Sequence, residues 1–405
     1  MSFQRSGVAD LPLHSGRVPQ WLALRMAALG RVIVEAIVHE YGRAEVLRRL
    51  ANPFWFQSFG AVMGMDWHSS GITTSVVGAL KRGLAPLQRE LGLYVCGGKG
   101  VHARGTPQEL QSIGDRTGLD ASHLIRASRL VAKIDGAAVQ DGFDLYLHAF
   151  FATADGGWCV VQQGLNERQR EARRYHWQSE GLEGFFDSPH AGIEGRNVGV
   201  IVNLADARAA RCRRAELELA SAGPDRTIAL LRRERESATL PLFPALEIPE
   251  GPVMHLVLPH HHEVRVTDVA LRRLHATLAA AAERGPKDFA ELLLMPGLGA
   301  RTVAALAFVA EIIHGAPSRF PDPARFSFAL GGKDGHPFPV PLAVYDETLR
   351  ILKRAVSRAH LGQRETLAAI RRIDLQARAL EGRVAGPAFD DLVETTGNAG
   401  AARAG

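Results

Sequence analysis

Acids, histidines and lysines recur beside glycine-rich turns in this sequence, and their spacing suggests chemistry on phosphodiesters. In Gly64-Met-Asp-Trp-His-Ser-Ser-Gly71, Asp66 and His68 stand two apart, as side chains on one face of an extended strand do. The pair could hold a metal. The hydroxyls of Ser69, Ser70, Thr73 and Thr74 could seat a phosphate at the start of a helix, or simply cap it. Further on, Asp135, Asp141 and Asp144 gather at the entrance of a β-rich run, with Lys99 and Lys133 nearby. Carboxylate oxygens suit Mg²⁺ or Mn²⁺, and a lysine suits the charge that develops when a phosphodiester breaks. In Gly331-Gly-Lys-Asp-Gly-His336-Pro-Phe-Pro-Val-Pro341, Asp334 and His336 form a candidate acid/base pair on a loop that prolines and glycines would position.

A second kind of site is built from backbone. Phe289, Leu292 and Leu293 fit one helical face, Pro296-Gly297-Leu298-Gly299 interrupts it, and Val303, Leu306, Val309 and Ile313 resume it. Gly297 and Gly299 leave no side chain between the bend's N–H groups and an approaching anion. The run Leu293-Leu-Met-Pro-Gly-Leu-Gly-Ala-Arg-Thr302 resembles the helix-hairpin-helix element, which implies sequence-independent contact with a nucleic-acid phosphate through Gly297, Gly299, Arg301 and Thr302. In helix-hairpin-helix glycosylases a lyase lysine follows the hairpin. Here Arg301 stands at that place, and a guanidinium is no amine nucleophile. Asp322 falls near, but not at, the spacing of the glycosylase aspartate. A second binding stretch is Arg168–Trp177, where Arg170, Arg173 and Arg174 mix with Tyr175 and Trp177, cations beside stacking surfaces. A solvated helix face with Tyr175 and Trp177 in the core is the plainer alternative.

Composition sets the frame. The chain has 405 residues, 46% of them hydrophobic and 22% charged, which suits a folded protein of two domains. Its net charge of +5 permits nucleic acid without requiring it. Arginine dominates the cations, and the lysines are Lys81, Lys99, Lys133, Lys287, Lys333 and Lys353. Cys96, Cys159 and Cys212 form no metal or disulfide framework and read as small buried hydrophobes in a reducing compartment. No apolar run is long enough for a membrane span and no secretory core opens the chain, so a cytoplasmic protein without a membrane partner is expected.

The positioning elements follow from periodicity. Helices are expected over Trp21–Val38, Tyr41–Leu50, Thr74–Leu91 and Ala121–Val131, with Asn52–Phe59 as an aromatic connector that plugs the core. Leu93–Cys96 reads as a strand entering a Gly97-Gly-Lys-Gly100 loop that lacks the Walker spacing. Thr106, Pro107 and Glu109 read as a capping box. Leu145–Thr153 and Trp158–Gly164, joined by Asp155-Gly-Gly157, make a strong hairpin signal. The hairpin and its acids loosely resemble the PD-(D/E)xK nuclease core, but the second strand offers Gln162-Gln163 where that core has an acid and a lysine. The fold class expected is α+β: an α+β domain over residues 1–204, a helical and proline-rich linker over 205–252, an all-α domain over 253–385 and a disordered tail over 386–405. His260-His-His-Glu263 reads as an exposed loop, since adjacent side chains rarely converge on one ion.

Several phrases, Gly7-Val-Ala-Asp-Leu-Pro-Leu-His14, Asp66-Trp-His-Ser-Ser-Gly71, Cys96-Gly-Gly-Lys-Gly100, Gln162-Gln-Gly164, Ala172-Arg-Arg-Tyr-His-Trp177 and Gly331-Gly-Lys-Asp-Gly-His-Pro337, resemble the prokaryotic family catalogued as domain of unknown function 763. That resemblance implies an intracellular setting and no particular chemistry. The residues themselves lead to the expectation of a DNA-binding protein of genome maintenance with metal-dependent phosphodiester cleavage. The alternatives are a non-catalytic DNA scaffold, a glycosylase-like repair enzyme, and a phosphometabolite enzyme using the two glycine-lysine loops.

Overall fold

A computed structural model of the chain describes residues 18, 20–65, 70–230, 271–324, 350 and 354. At its centre β1 (Leu93–Lys99), β3 (Asp144–Thr153), β4 (Trp158–Asn166), β5 (Glu171–Gln178) and β6 (Gly192–Glu194) lie side by side in that order, every pairing antiparallel. The expected hairpin is β3 and β4. Both faces of this sheet are buried, because apolar residues fill the even and the odd positions alike. Leu147, Ala149, Phe151, Cys159 and Val161 pack into one hydrophobic cluster. Their neighbours Phe150, Ala152, Trp158 and Val160 pack into another.

The first face is covered by α1 (Gln20–Tyr41), α2 (Arg43–Ala51), α3 (Pro53–Val62) and α4 (Gly71–Leu84). The aromatic connector expected at Asn52–Phe59 is in fact α3. Asn52 accepts the Trp55 N–H at 3.0 Å and Pro53 occupies the first turn, a start that outweighs the poor helix propensity of the aromatics. Its plugging role stands: every residue of α3 is buried.

Beyond the short helices α5 (Gln88–Leu91) and α6 (Val101–Arg104) on either side of β1, the second face meets α7 (Thr106–Thr117), α8 (Ala121–Lys133) and a π-helical turn, Ile134–Ala138. Behind them stand α9 (Ala210–Ala222), α10 (Leu271–Arg284), α11 (Phe289–Leu294) and α12 (Ala300–His314). One apolar cluster runs from Phe150 and Trp177 of the sheet through Leu130 of α8 to Leu306 of α12. The α+β class is as expected. Within the stretch read as all-α, however, β8 (Arg319–Pro321) pairs with β7 (Val200–Asn203), which pairs with β2 (Val139–Gln140). The proline-rich connection at 241–252 lies outside the described residues.

Two local expectations fail for physical reasons. The Gly97-Gly-Lys-Gly100 stretch is not a loop: Gly97, Gly98 and Lys99 continue β1 opposite Ala149, His148 and Leu147. Gly97 has φ +82, and a Cβ there would stand 2.2 Å from the His148 carbonyl oxygen, so glycine is what lets the two strands pass. The capping box is absent too, since Thr106 donates to the Ala103 carbonyl at 2.8 Å while Glu109 takes Lys81 Nζ at 2.7 Å and the Gly97 N–H at 3.1 Å. All three cysteines are buried and free, as expected. Among the described residues no helix is long and apolar enough to cross a membrane.

Candidate functional site: a basic cavity beside the glycine bend

Of the expected metal ligands, Asp66 and His68 lie outside the described residues, as do Asp334 and His336. Asp144 begins β3 and is exposed. Asp135 and Asp141 are buried and engaged by protein donors. Asp141 accepts the Phe143 N–H at 3.1 Å on one oxygen, and Arg173 at 2.8 Å and the Tyr175 hydroxyl at 2.7 Å on the other. Burial pushes its carboxyl up and Arg173 pulls it back. Among the described residues no three His, Cys, Asp or Glu side chains come together to hold an ion.

The arginines of Arg168–Trp177 also part company. This stretch is the strand β5 and its approach, not a helix face. Arg170 is exposed, at φ +56 in the turn before the strand. Arg173 and Arg174 are fully buried, which takes both out of reach of a surface polyanion and corrects their assignment to a nucleic-acid interface. Arg174 reaches Thr73 Oγ1 at 2.9 Å, Gln57 Oε1 at 2.6 Å and Glu194 at 3.0 Å, and so ties α3, α4 and β6 to the sheet. Tyr175 and Trp177 are core residues.

Asp135 belongs to a different assembly. It sits in the π-helical turn and accepts from Trp177 Nε1 at 2.8 Å, His190 Nε2 at 2.6 Å and Gln162 Nε2. With its amide nitrogen turned to Asp135, Gln162 offers Oε1 to His148 Nδ1 at 2.7 Å, and His148 Nε2 lies 2.9 Å from Ser128 Oγ. The directions follow by elimination. Nδ1 must donate to the amide oxygen, and burial lowers the pKa of the ring and keeps it neutral, so Nε2 accepts and the Ser128 hydroxyl donates. Such a chain can take a proton from Ser128 and hold the resulting imidazolium in place. The hairpin pattern carries His148 and Gln162 as polar residues on neighbouring strands but gives no sign of Ser128. The available signal was that the two side chains face each other across the hairpin register.

Ser128, His148 and Gln162 line a cavity of about 600 Å³, together with Arg104, Arg129, Lys133, Tyr146 and Leu294. Lys133 is half-buried, its amine pKa lowered by burial, and its Nζ donates to the Leu298 carbonyl in the glycine bend. Gln140 Nε2 donates to the Ala300 carbonyl at 2.8 Å, a second tie. Lys99 is exposed at the end of β1, its amine 5.4 Å from the centre of the Tyr146 ring.

The bend faces outward. Pro296, Gly297 and Gly299 are exposed, and Leu298 is the buried anchor. Leu298 N donates to Met295 O at 3.2 Å and Gly297 has φ +85, a type II turn with Pro and Gly in their favoured places. Thr302 and Val303 make the first bonds of α12 to the Gly299 carbonyl, at 3.0 and 3.1 Å, so the N–H groups of Ala300 and Arg301 precede the ladder. Arg301 is exposed, whereas Thr302 is buried.

Neither a curated protein nor a solved structure matches this chain. Residues 7–340 match the family model described as protein of unknown function (DUF763), a span that takes in the sheet, the cavity and the bend, and the chain belongs to that family.

Proposed function

We propose that this protein binds the sugar-phosphate backbone of DNA at the Met295–Ala300 bend. The observation that carries the reading is the outward placement of the bend. Gly297 and Gly299 stand exposed before a fifteen-residue helix, no heavy atom of a non-adjacent described residue lies within 4 Å of where a Cβ of either would stand, and Arg301 is exposed on the first turn. Helix-start N–H groups, the positive end of the helix dipole and one cation offer a phosphate charge and donors without reading a base. The basic cavity opens beside the bend and shares Lys133 with it, which extends the positive surface.

The test separates binding from folding. Gly299 has φ −115 and ψ 178, a conformation open to any residue, so Gly299→Ala should fold as the wild type does. Its methyl group would stand between the N–H groups and a phosphate. Fluorescence anisotropy with single-stranded and duplex DNA should show affinity falling about tenfold in this variant, or about 1.4 kcal/mol. Arg301→Ala should lower the slope of log affinity against log salt by about one. Unchanged affinity in Gly299→Ala would overturn the proposal. The same incubation with and without Mg²⁺ or Mn²⁺ reads the metal-dependent cleavage expected from the sequence.

A further inference from the structure

Serine inside a helix ordinarily turns its hydroxyl to the preceding turn or to solvent. Ser128 instead presents it to His148 at 2.9 Å, on the wall of a cavity. The histidine ring is neutral and is held from behind by Gln162, which Asp135 fixes in turn. A hydroxyl, a base and an orienting group in series are the parts of an activated nucleophile. The cavity also indicates what it would accept: Arg104, Arg129 and Lys133 line it, and among the described residues no Asp or Glu does. Its volume of about 600 Å³ is that of a small-ligand site.

We infer that Ser128 is a nucleophile toward phosphodiesters, with His148 as its general base and Gln162 as the residue that positions the ring. Ser128 Oγ attacks phosphorus as the bond from phosphorus to the leaving oxygen breaks. The hydroxyl proton passes to His148 Nε2 and from there to the leaving alkoxide. Water, deprotonated by the same nitrogen, then attacks the phosphoserine, the Oγ–P bond breaks, and the proton returns to Ser128. The products are one alcohol and one phosphate monoester. The three cations offset charge on the non-bridging oxygens. This inference does not rest on the DNA grip of the bend, since a small diester suffices.

The experiment treats the full chain with diisopropyl fluorophosphate, in which the same Oγ–P bond forms and fluoride leaves, and locates the adduct by peptide mass spectrometry. The expected result is a single adduct on Ser128, absent in Ser128→Ala, formed about 100-fold more slowly in His148→Gln, and retarded by inorganic phosphate. Gln162→Ala should lower the maximal labelling rate and leave the protective phosphate concentration unchanged, a split that a general loosening of the cavity would not produce. Hydrolysis of bis(p-nitrophenyl) phosphate should fall with the same variants. Folded wild-type protein that carries no adduct on Ser128 would overturn the inference, and this result requires no variant to fold. An equal labelling rate in a folded His148→Gln would overturn it as well.

Discussion

Arg173 grips Asp322 with two parallel bonds, Nη1 to Oδ1 at 3.0 Å and Nη2 to Oδ2 at 2.7 Å, in a pair with no exposed side-chain surface. From sequence, the arginine read as a contact for nucleic acid and the aspartate as lying near a glycosylase position. Each is instead the other's partner, and Asp141 completes the group at 2.8 Å from Nη1. The cluster clamps β5 to the segment after β8, 149 residues further along the chain. Removing the cation leaves two buried carboxyls without compensation, so Arg173→Met should cost about 3–5 kcal/mol in urea unfolding. A loss below about 1 kcal/mol would show that the clamp adds nothing over packing.

Burial pushes the Glu194 carboxyl from its ordinary 4.5 up to about 7, against the opposing pull of Arg174. The folded protein therefore binds that proton more tightly than the unfolded chain. The stability this adds is complete below the ordinary value and is lost as pH rises through about 7, on the order of 3 kcal/mol. His148 and His176 act in the opposite sense. Burial lowers both from the ordinary 6.5, so their contribution is complete above that value and is lost as pH falls. Comparing wild type with Glu194→Gln between about pH 5 and about pH 8 isolates the carboxyl, and the variant should show the smaller decline with rising pH. Identical slopes would mean that Glu194 is ionised beside Arg174 throughout.

Gly97→Ala should be among the most damaging single-methyl changes. The new carbon would meet the His148 carbonyl oxygen at 2.2 Å and Thr106 Oγ1 at 2.6 Å, at a φ of +82 that alanine resists. A cost of about 2 kcal/mol or more is expected in thermal or urea unfolding. Because the displaced strand carries His148, labelling of Ser128 should also slow in whatever fraction stays folded. A variant of wild-type stability would show that β1 and β3 can separate without cost.

The two bend glycines should behave differently. Gly297 sits at φ +85, so Gly297→Ala should lose about 1 kcal/mol of stability as well as DNA affinity. Gly299→Ala should lose affinity alone, with stability within about 0.5 kcal/mol of wild type. Equal loss of stability in both would indicate that the bend is strained as a unit, and the affinity change would then report on folding.

Local patterning was enough to write down the β3–β4 hairpin, most of the helices, the glycine bend with its outward Arg301 and the burial of the cysteines. Each depends on residues close in sequence, whose periodicity and turn chemistry act before any distant contact forms. What the strand and helix patterns could not say is which polar side chains would be spent inside. Arg173, Arg174, Asp135 and Asp141 look like surface chemistry in one dimension, and they become internal partners once β5 enters the sheet and Asp322 returns from far along the chain. Ser128 is the converse case. It is an ordinary residue in an amphipathic helix until antiparallel pairing places His148 and Gln162 across from each other and α8 packs over them. A charged or hydroxyl side chain is interpretable only through its partners, and partners separated by tens of residues are chosen by the packing of the sheet.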